Sequence, residues 1–273
     1  SAGTSNFRAG VNAGNSIAGG GNFNTVVGDE AGTALTTGDD NTALGYGALY
    51  SEDAHGKNTA IGTNSLLTLN AGADGNNTAV GYFSGKLITT GIDNSILGSG
   101  AGDALTDADY NTAIGAFALT TDTLGSKSVA VGSSALFTQN FTSATDSFNT
   151  AVGFNAGALA TTGIQNTLIG SLAGDGIVTG SRNTALGNRA LSGAVDDSNN
   201  NTCIGMDAGT VTTGNNNTYV GAYNGSSGGC GSLMTSGSNN TILGSYNGNQ
   251  HSLDIRTGSN NIVLSDGDGN PRA

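Results

Sequence analysis

An all-β solenoid with almost no helix is the fold class this sequence predicts, and three observations predict it. The phrase Asn-Thr-Ala-(Val/Ile/Leu)-Gly, with substitutions, returns fourteen times, starting at Asn24, Asn41, Asn58, Asn77, Asn94, Asn111, Ser128, Asn149, Asn166, Asn183, Asn201, Asn217, Asn240 and Asn261. Its commonest step is 17 residues. The runs between corners are three to five residues long and β-branched, too short for helices but suited to strands. A fixed period of this kind marks a stack in which each unit makes one coil and buries its inner face only against its neighbours. The expectation is a β-solenoid or β-roll of about fourteen coils, residues 24–265, preceded by a capping segment, 1–23, and followed by a tail, 266–273.

Along one coil, the leading Asn is position zero. Stacked in register, its amide has a donor and an acceptor for the Asn above and below while holding the turn. Position one is mostly Thr. Position two is small or apolar (Ala43, Ala60, Ala113, Cys203, Tyr219), and position three is aliphatic in every copy, from Val27 to Leu264. Position four is Gly except at Ser265, supplying the backbone freedom of a corner. A small residue follows, such as Ala48 or Ser65, then Leu or Gly, as in Leu49 against Gly32. A Thr-Thr-Gly turn often closes the unit, as in Thr36-Thr37-Gly38.

Because successive strand residues point to opposite faces, positions two and three make both faces of the strand apolar. The invariant position three is read as the coil interior, and the small position two as an outer face packed against an identical chain. Ile114→Asn is then expected to place an unpaired amide in the inner stack and to cost several kcal/mol. A coil this thin buries few aliphatic side chains, so an obligate homo-oligomer, most simply a trimer, is expected.

Composition narrows the partners. Acidic residues number 20 against eight Lys plus Arg, for a net charge of −12. Nucleic acid and anionic membranes reward clustered cations, which are absent, so neither is an expected partner. No apolar run approaches the length of a membrane span, and Ser1-Ala2-Gly3-Thr4 shows no signal-peptide pattern. Cys203 and Cys230 are too few for a disulfide framework and are read as free thiols.

The stretch Ser128-Val129-Ala130-Val131-Gly132-Ser133-Ser134-Ala135 resembles the head repeat of trimeric autotransporter adhesins, and the Asn-Thr-Ala-Ile-Gly copies are similar to repeat arrays of marine and cyanobacterial phage tail fibres. The segment from Asn260 to Asn270 resembles the one that leads, in such fibres, into a chaperone domain that drives trimerisation and is cut off. The resemblance implies a homotrimeric, non-enzymatic fibre shaft on a virion or a cell surface, a piece of a longer protein, with host glycan or protein as a partner. It carries over no catalytic, cofactor or metal residues. The period, longer than that of the adhesin head, places the fibre ahead of the adhesin.

Paired carboxylates at Asp39-Asp40, Asp107 with Asp109, and Asp196-Asp197 all fall in turn segments, where Asp is favoured for local backbone bonding, so they are read as turn residues rather than as a glycosidase pair. His55 and His251 are read as isolated, without metal-ligand spacing. Asp266-Gly267-Asp268-Gly269-Asn270 alternates oxygen ligands like a calcium loop but lacks the closing Glu. The Thr row beginning Thr25, Thr42, Thr59 raises ice binding as a lesser alternative. The two longest insertions must bulge from the stack and carry Phe141, Phe148 and Tyr223, which are read either as receptor contacts or as rings that tuck back and cover a coil.

Overall fold

The structure is a computed structural model that describes residues 3–193, 197–221, 223, 225 and 228–272. It divides into two compact units, unit 1 comprising Ser1–Ser133 with Asn140–Asp146, and unit 2 comprising Ser134–Gln139 with Ser147–Ala273. Both are parallel β-solenoids, and no helix occurs among the described residues.

In unit 1 the ladder runs β1 (Phe7–Ala9), β2 (Thr25–Val27), β3 (Thr42–Leu44), β4 (Thr59–Ile61), β5 (Thr78–Val80), β6 (Ser95–Leu97), β7 (Thr112–Ile114), then β9 (Val129–Val131). Each strand pairs in parallel with the next, like residue over like residue: Thr42 over Thr59, Ala43 over Ala60, Leu44 over Ile61. A short parallel pair, β8 (Gly125–Ser126) with β10 (Thr145–Asp146), lies beside it. In unit 2 the parallel ladder runs β11 (Thr150–Val152), β12 (Thr167–Ile169), β13 (Thr184–Leu186), β14 (Thr202–Ile204), β15 (Thr218–Val220), β16 (Thr241–Leu243) and β19 (Ile262–Ser265). A hairpin, β17 (Asn249–Gln250) with β18 (Leu253–Asp254), precedes the last coil, and β20 (Pro271–Arg272) crosses antiparallel over β19.

The coils therefore number about fifteen. The additional one is Asn6-Phe7-Arg8-Ala9-Gly10, which lies inside the expected capping segment and keeps Asn at position zero and Gly at position four. Arg8 replaces the apolar residue of position two there, and its guanidinium donates to the Gly14 carbonyl at 2.7 Å. A charged side chain on the terminal strand blunts an otherwise open edge.

The two faces of the strand are reversed from the sequence reading. Position two points inward: Val26, Ala43, Ala60, Ala79, Ala113, Leu168, Cys203 and Tyr219 are fully buried. Position three points out, so Ile114 lies on the outer face and is 37% exposed. Constancy does not mark the core here, because the core row is the variable one.

That variability follows a volume rule. Position eight, always in the left-handed region, holds Leu where position two is Ala: Ala43 with Leu49 (φ 52), Ala60 with Leu66, Ala113 with Leu119, Ala185 with Leu191. It holds Gly where position two is larger, as for Val26 with Gly32, Ile96 with Gly102, Leu168 with Gly174 and Cys203 with Gly209. A Cβ on Gly32 meets Leu35 Cδ1 at 2.8 Å and Val26 Cγ1 at 3.2 Å, so a side chain there is excluded. Where both positions are small, at Ala79 with Gly85 and Ala151 with Gly157, the coils on either side fill the space: a Cβ on Gly85 lies within 3.1 Å of Leu66 and Ile96, and one on Gly157 within 3.0 Å of Leu136 and Leu168. Interiors pack to near-crystalline density, and exchanging bulk between facing positions maintains it.

The Asn row behaves as expected. In unit 1, Asn41, Asn58, Asn94 and Asn111 each donate a backbone N–H to the side-chain oxygen of the preceding Asn, at 2.9–3.1 Å. In unit 2, Asn166, Asn183, Asn201, Asn217, Asn240 and Asn261 repeat the bond at 2.9–3.0 Å. The amide nitrogens turn to corner carbonyls: Asn94 Nδ2 donates to Ala108 at 2.8 Å and Asn166 Nδ2 to Gly180 at 2.9 Å. Apart from Asn261 these side chains are buried, so each satisfied bond also removes a desolvation penalty. Stacked corner glycines complete the coil, since a Cβ on Gly45 reaches the Gly62 carbonyl carbon at 2.7 Å.

Candidate functional site

The outward face of the ladder is the most regular surface of each unit. In unit 1 it carries the row Val27, Leu44, Ile61, Val80, Leu97, Ile114 and Val131, none of them buried and Leu97 49% exposed. In unit 2 the row is Val152, Ile169, Leu186, Ile204, Val220, Leu243 and Leu264, with Leu264 at 48%. Two residues earlier on the same face stands the position-one row, Thr in eleven of fourteen copies and likewise unburied. Parallel, in-register pairing aligns both rows along the stack, an arrangement with a hydroxyl line beside an aliphatic line.

Other outward registers vary freely. The residue before each Asn, always left-handed, runs Phe23, Asp40, Lys57, Asn76, Asp93, Tyr110 and Lys127 in unit 1. In unit 2 the same register ends in a surface amide stack, with Asn200 donating to Asn216 at 3.0 Å, Asn216 to Asn239 at 3.2 Å and Asn239 to Asn260 at 3.2 Å.

The candidate carboxylates serve as turn braces. Asp39 Oδ1 accepts the Asn22 backbone N–H at 2.6 Å, Asp109 Oδ1 accepts that of Ile92 at 2.8 Å, and Asp107 Oδ1 accepts the Thr90 hydroxyl at 2.6 Å. Asp197 accepts the Thr179 hydroxyl, while Asp196 lies outside the described residues. The Asp266 carboxylate closes its own loop by accepting the backbone N–H groups of Asp268 and Asn270 at 3.0 and 2.9 Å, and it pairs with Arg272. The Asn270 amide, first among the causes, holds the Asp266 carboxyl well below the usual range. Its oxygens are thus engaged by the chain rather than set out around an ion.

His55 is not isolated, contrary to the sequence reading. Ligand atoms of Glu52, Asp53 and His55 lie within 4.8 Å of one another, on the spacing i, i+1, i+3 that one turn brings together. Glu52 takes the inward register where Leu35, Leu69 and Leu105 stand in neighbouring coils, and it is fully buried. Its Oε1 accepts the N–H groups of Asp53 and His55, both at 3.1 Å. Burial pushes the Glu52 carboxyl up. Asp122 repeats the device, accepting the Gly125 and Phe141 N–H groups at 3.0 and 3.2 Å. These inward carboxylates therefore cap irregular turns. His251 is exposed, in the hairpin turn between β17 and β18.

Of the expected receptor contacts, Phe141 is corrected: it is 5% exposed and fills the space beside Gly125, where a Cβ meets its ring at 2.7 Å. Phe141 thus tucks back against the Asp122–Gly125 turn of the preceding coil and offers no free aromatic face. Phe148 and Tyr223 are exposed at unit 2 corners whose coils stand four steps apart, roughly 19 Å at strand spacing, so they form no shared platform. Cys203 and Cys230 are both buried and free. Burial raises both thiols, Cys230 to about 12, which makes them unreactive core residues. Among the described residues no helix is long and apolar enough to cross a membrane.

The chain matches no known family model, no curated protein and no solved structure.

Proposed function

We propose that this protein is a non-enzymatic structural element, the shaft of a phage tail fibre or a comparable extracellular filament, assembled as a homotrimer around its outward strand faces. One observation carries the reading: the aliphatic row stays Val, Ile or Leu in fourteen copies while remaining in contact with water. Flanked by Thr, seven such residues in each unit line up as a contiguous apolar surface of the kind that marks an interaction site. A row parallel to the stacking axis is buried along its length by closed rotational symmetry about a parallel axis, which the resemblance to trimeric fibres makes threefold. Adhesion to a host surface is the expected secondary role, and the head of a bacterial surface adhesin is the closest rival. The carboxylates' engagement in turns supports the absence of catalysis. Negative-stain imaging of the purified chain tests the reading: rigid rods with threefold cross-section support it, and single unpaired coils contradict it.

A second reading has its own support, because the Thr and aliphatic rows share one outward face in a regular array. Such a face suits ice, and thermal hysteresis abolished by Thr112→Lys separates the two readings.

A further inference from the structure

On the outer turns of unit 1, position six holds a left-handed residue in each coil, and three successive coils place Glu30, Gly47 and Asn64 there. The missing side chain at Gly47 leaves a gap into which the Asn64 side-chain oxygen reaches, against the position a Cβ would take. Around it lies a cavity of about 450 Å³ lined by Glu30, Tyr46, Gly47, Tyr50, Asn64 and Leu67. Tyr46 and Tyr50 come from the same coil and are 57% and 41% exposed. Glu30 is held in place, its Oε1 accepting from Asn12 Nδ2 at 2.8 Å and its Oε2 from the Thr33 hydroxyl at 3.2 Å. Asn64 is half-buried, and its side-chain amide makes no hydrogen bond among the described residues.

The coil starting at Asn77 provides an internal control. Tyr82 occupies the Tyr46 register, but Phe83 stands in place of Gly47. The Phe83 ring stacks on Tyr82 with centroids 3.9 Å apart, and Lys86 Nζ, at the Tyr50 register, sits 4.4 Å over Phe83. There Phe83 stacks on one face of the tyrosine, which is nevertheless about as exposed as Tyr46. At Gly47 no ring stands in that register, and the Glu30 carboxylate and the unpaired Asn64 amide flank the groove.

We propose that this groove is a binding site for a neutral pyranose ring, such as a terminal hexose of a surface glycan. The tyrosine rings meet the C–H face of the sugar, their hydroxyls remaining available at the edge. Glu30 accepts from ring hydroxyls, and Asn64 both accepts and donates. A wholly apolar ligand leaves these two groups desolvated and unpaired, and an anionic sugar meets a chain of net charge −12. The cavity lies within the ~300–1,000 Å³ range of small-ligand sites, but it is shallow, so a dissociation constant of about 1 mM is expected. The site stands on one coil and its two neighbours, and sugar binding is therefore independent of whether the chain trimerises.

Saturation-transfer NMR on the full chain, with methyl β-D-glucopyranoside, methyl β-D-galactopyranoside and N-acetyl-D-glucosamine as probes, tests the site. At least one probe is expected to saturate. Gly47→Phe, which copies Phe83, is expected to weaken that binding at least tenfold without changing the melting curve. Phe83 and Phe117 already hold this register at φ 59 and 57, so the backbone accepts the ring once the Asn64 side-chain amide turns away from the new Cβ. Tyr50→Ala, at an exposed position, provides a second variant and is expected to weaken binding at least fivefold, with Tyr82→Ala unchanged. Failure of all three probes to saturate, or wild-type affinity in either groove variant, overturns the proposal.

Discussion

The inner and outer faces of the same three-residue strand follow opposite rules from coil to coil. On the inner face, position two ranges from Ala to Tyr219, yet every choice is answered by Leu or Gly at position eight. On the outer face, position three hardly varies, although it remains half-buried or exposed and the adjacent outward register passes through Phe23, Asp40, Lys57 and Tyr110. Variation within the chain thus separates two constraints. A row whose size changes in step with a partner row is packed by its own coil. A row that stays constant without burial is not explained by its own coil, and on the proposed reading it is constrained by association.

The sharpest way to break this contrast is at the inner amide row. Asn94→Leu removes the acceptor of the Asn111 N–H and the donor to the Ala108 carbonyl. Leaving buried groups unpaired costs about 1 to 3 kcal/mol each, so a loss of roughly 3 to 5 kcal/mol in urea unfolding is expected. Next in size is the volume rule. Ala113→Ile alone overpacks against Leu119 and is expected to cost about 1 to 3 kcal/mol. Adding Leu119→Gly reproduces the Ile96 with Gly102 pairing and is expected to recover at least half of that loss. Additive losses in that cycle contradict the rule.

Smaller again is the outer face. Ile114→Asn is expected to change the unfolding free energy of a dilute, dissociated sample by less than about 1 kcal/mol, as for a surface position, while weakening association. The smallest effect concerns pH. The Glu52 carboxyl is raised in the folded state by burial, so that state holds the proton more tightly than the unfolded chain. Its stabilising contribution is present below the ordinary Glu pKa and is lost as pH rises through the folded value. The stability of wild type relative to Glu52→Gln should therefore fall between pH 4 and pH 7 in parallel melts. A relative stability that rises over that window contradicts the assigned burial.

Much of the fold was legible in the chain because the phrase carries the period, the corner and the Asn stack together. The facing of the strand was not, because alternation tells which residues share a side but not which side is inner, and a one-residue shift reverses every assignment. The signal that resolves it was present as Leu49 against Gly32, whose correlation with Ala43 against Val26 requires those positions to share a core. The first coil is hidden in the sequence because Phe7 and Arg8 replace the Thr and Ala of the phrase, leaving only Asn6 and Gly10. The turn role of the acidic pairs was readable from local chemistry, whereas the folding back of Phe141 depended on the space beside Gly125. The groove at Tyr46 is marked only by a missing side chain in one register, which a search for chemical groups passes over.

Sedimentation equilibrium of the intact chain across a hundredfold concentration range, with Leu97→Asp alongside, tests the proposed association through the outer face most directly. Wild type is expected to behave as a trimer that dissociates only on dilution, and Leu97→Asp to shift the midpoint by at least tenfold. A wild-type chain that sediments as a folded monomer throughout contradicts it.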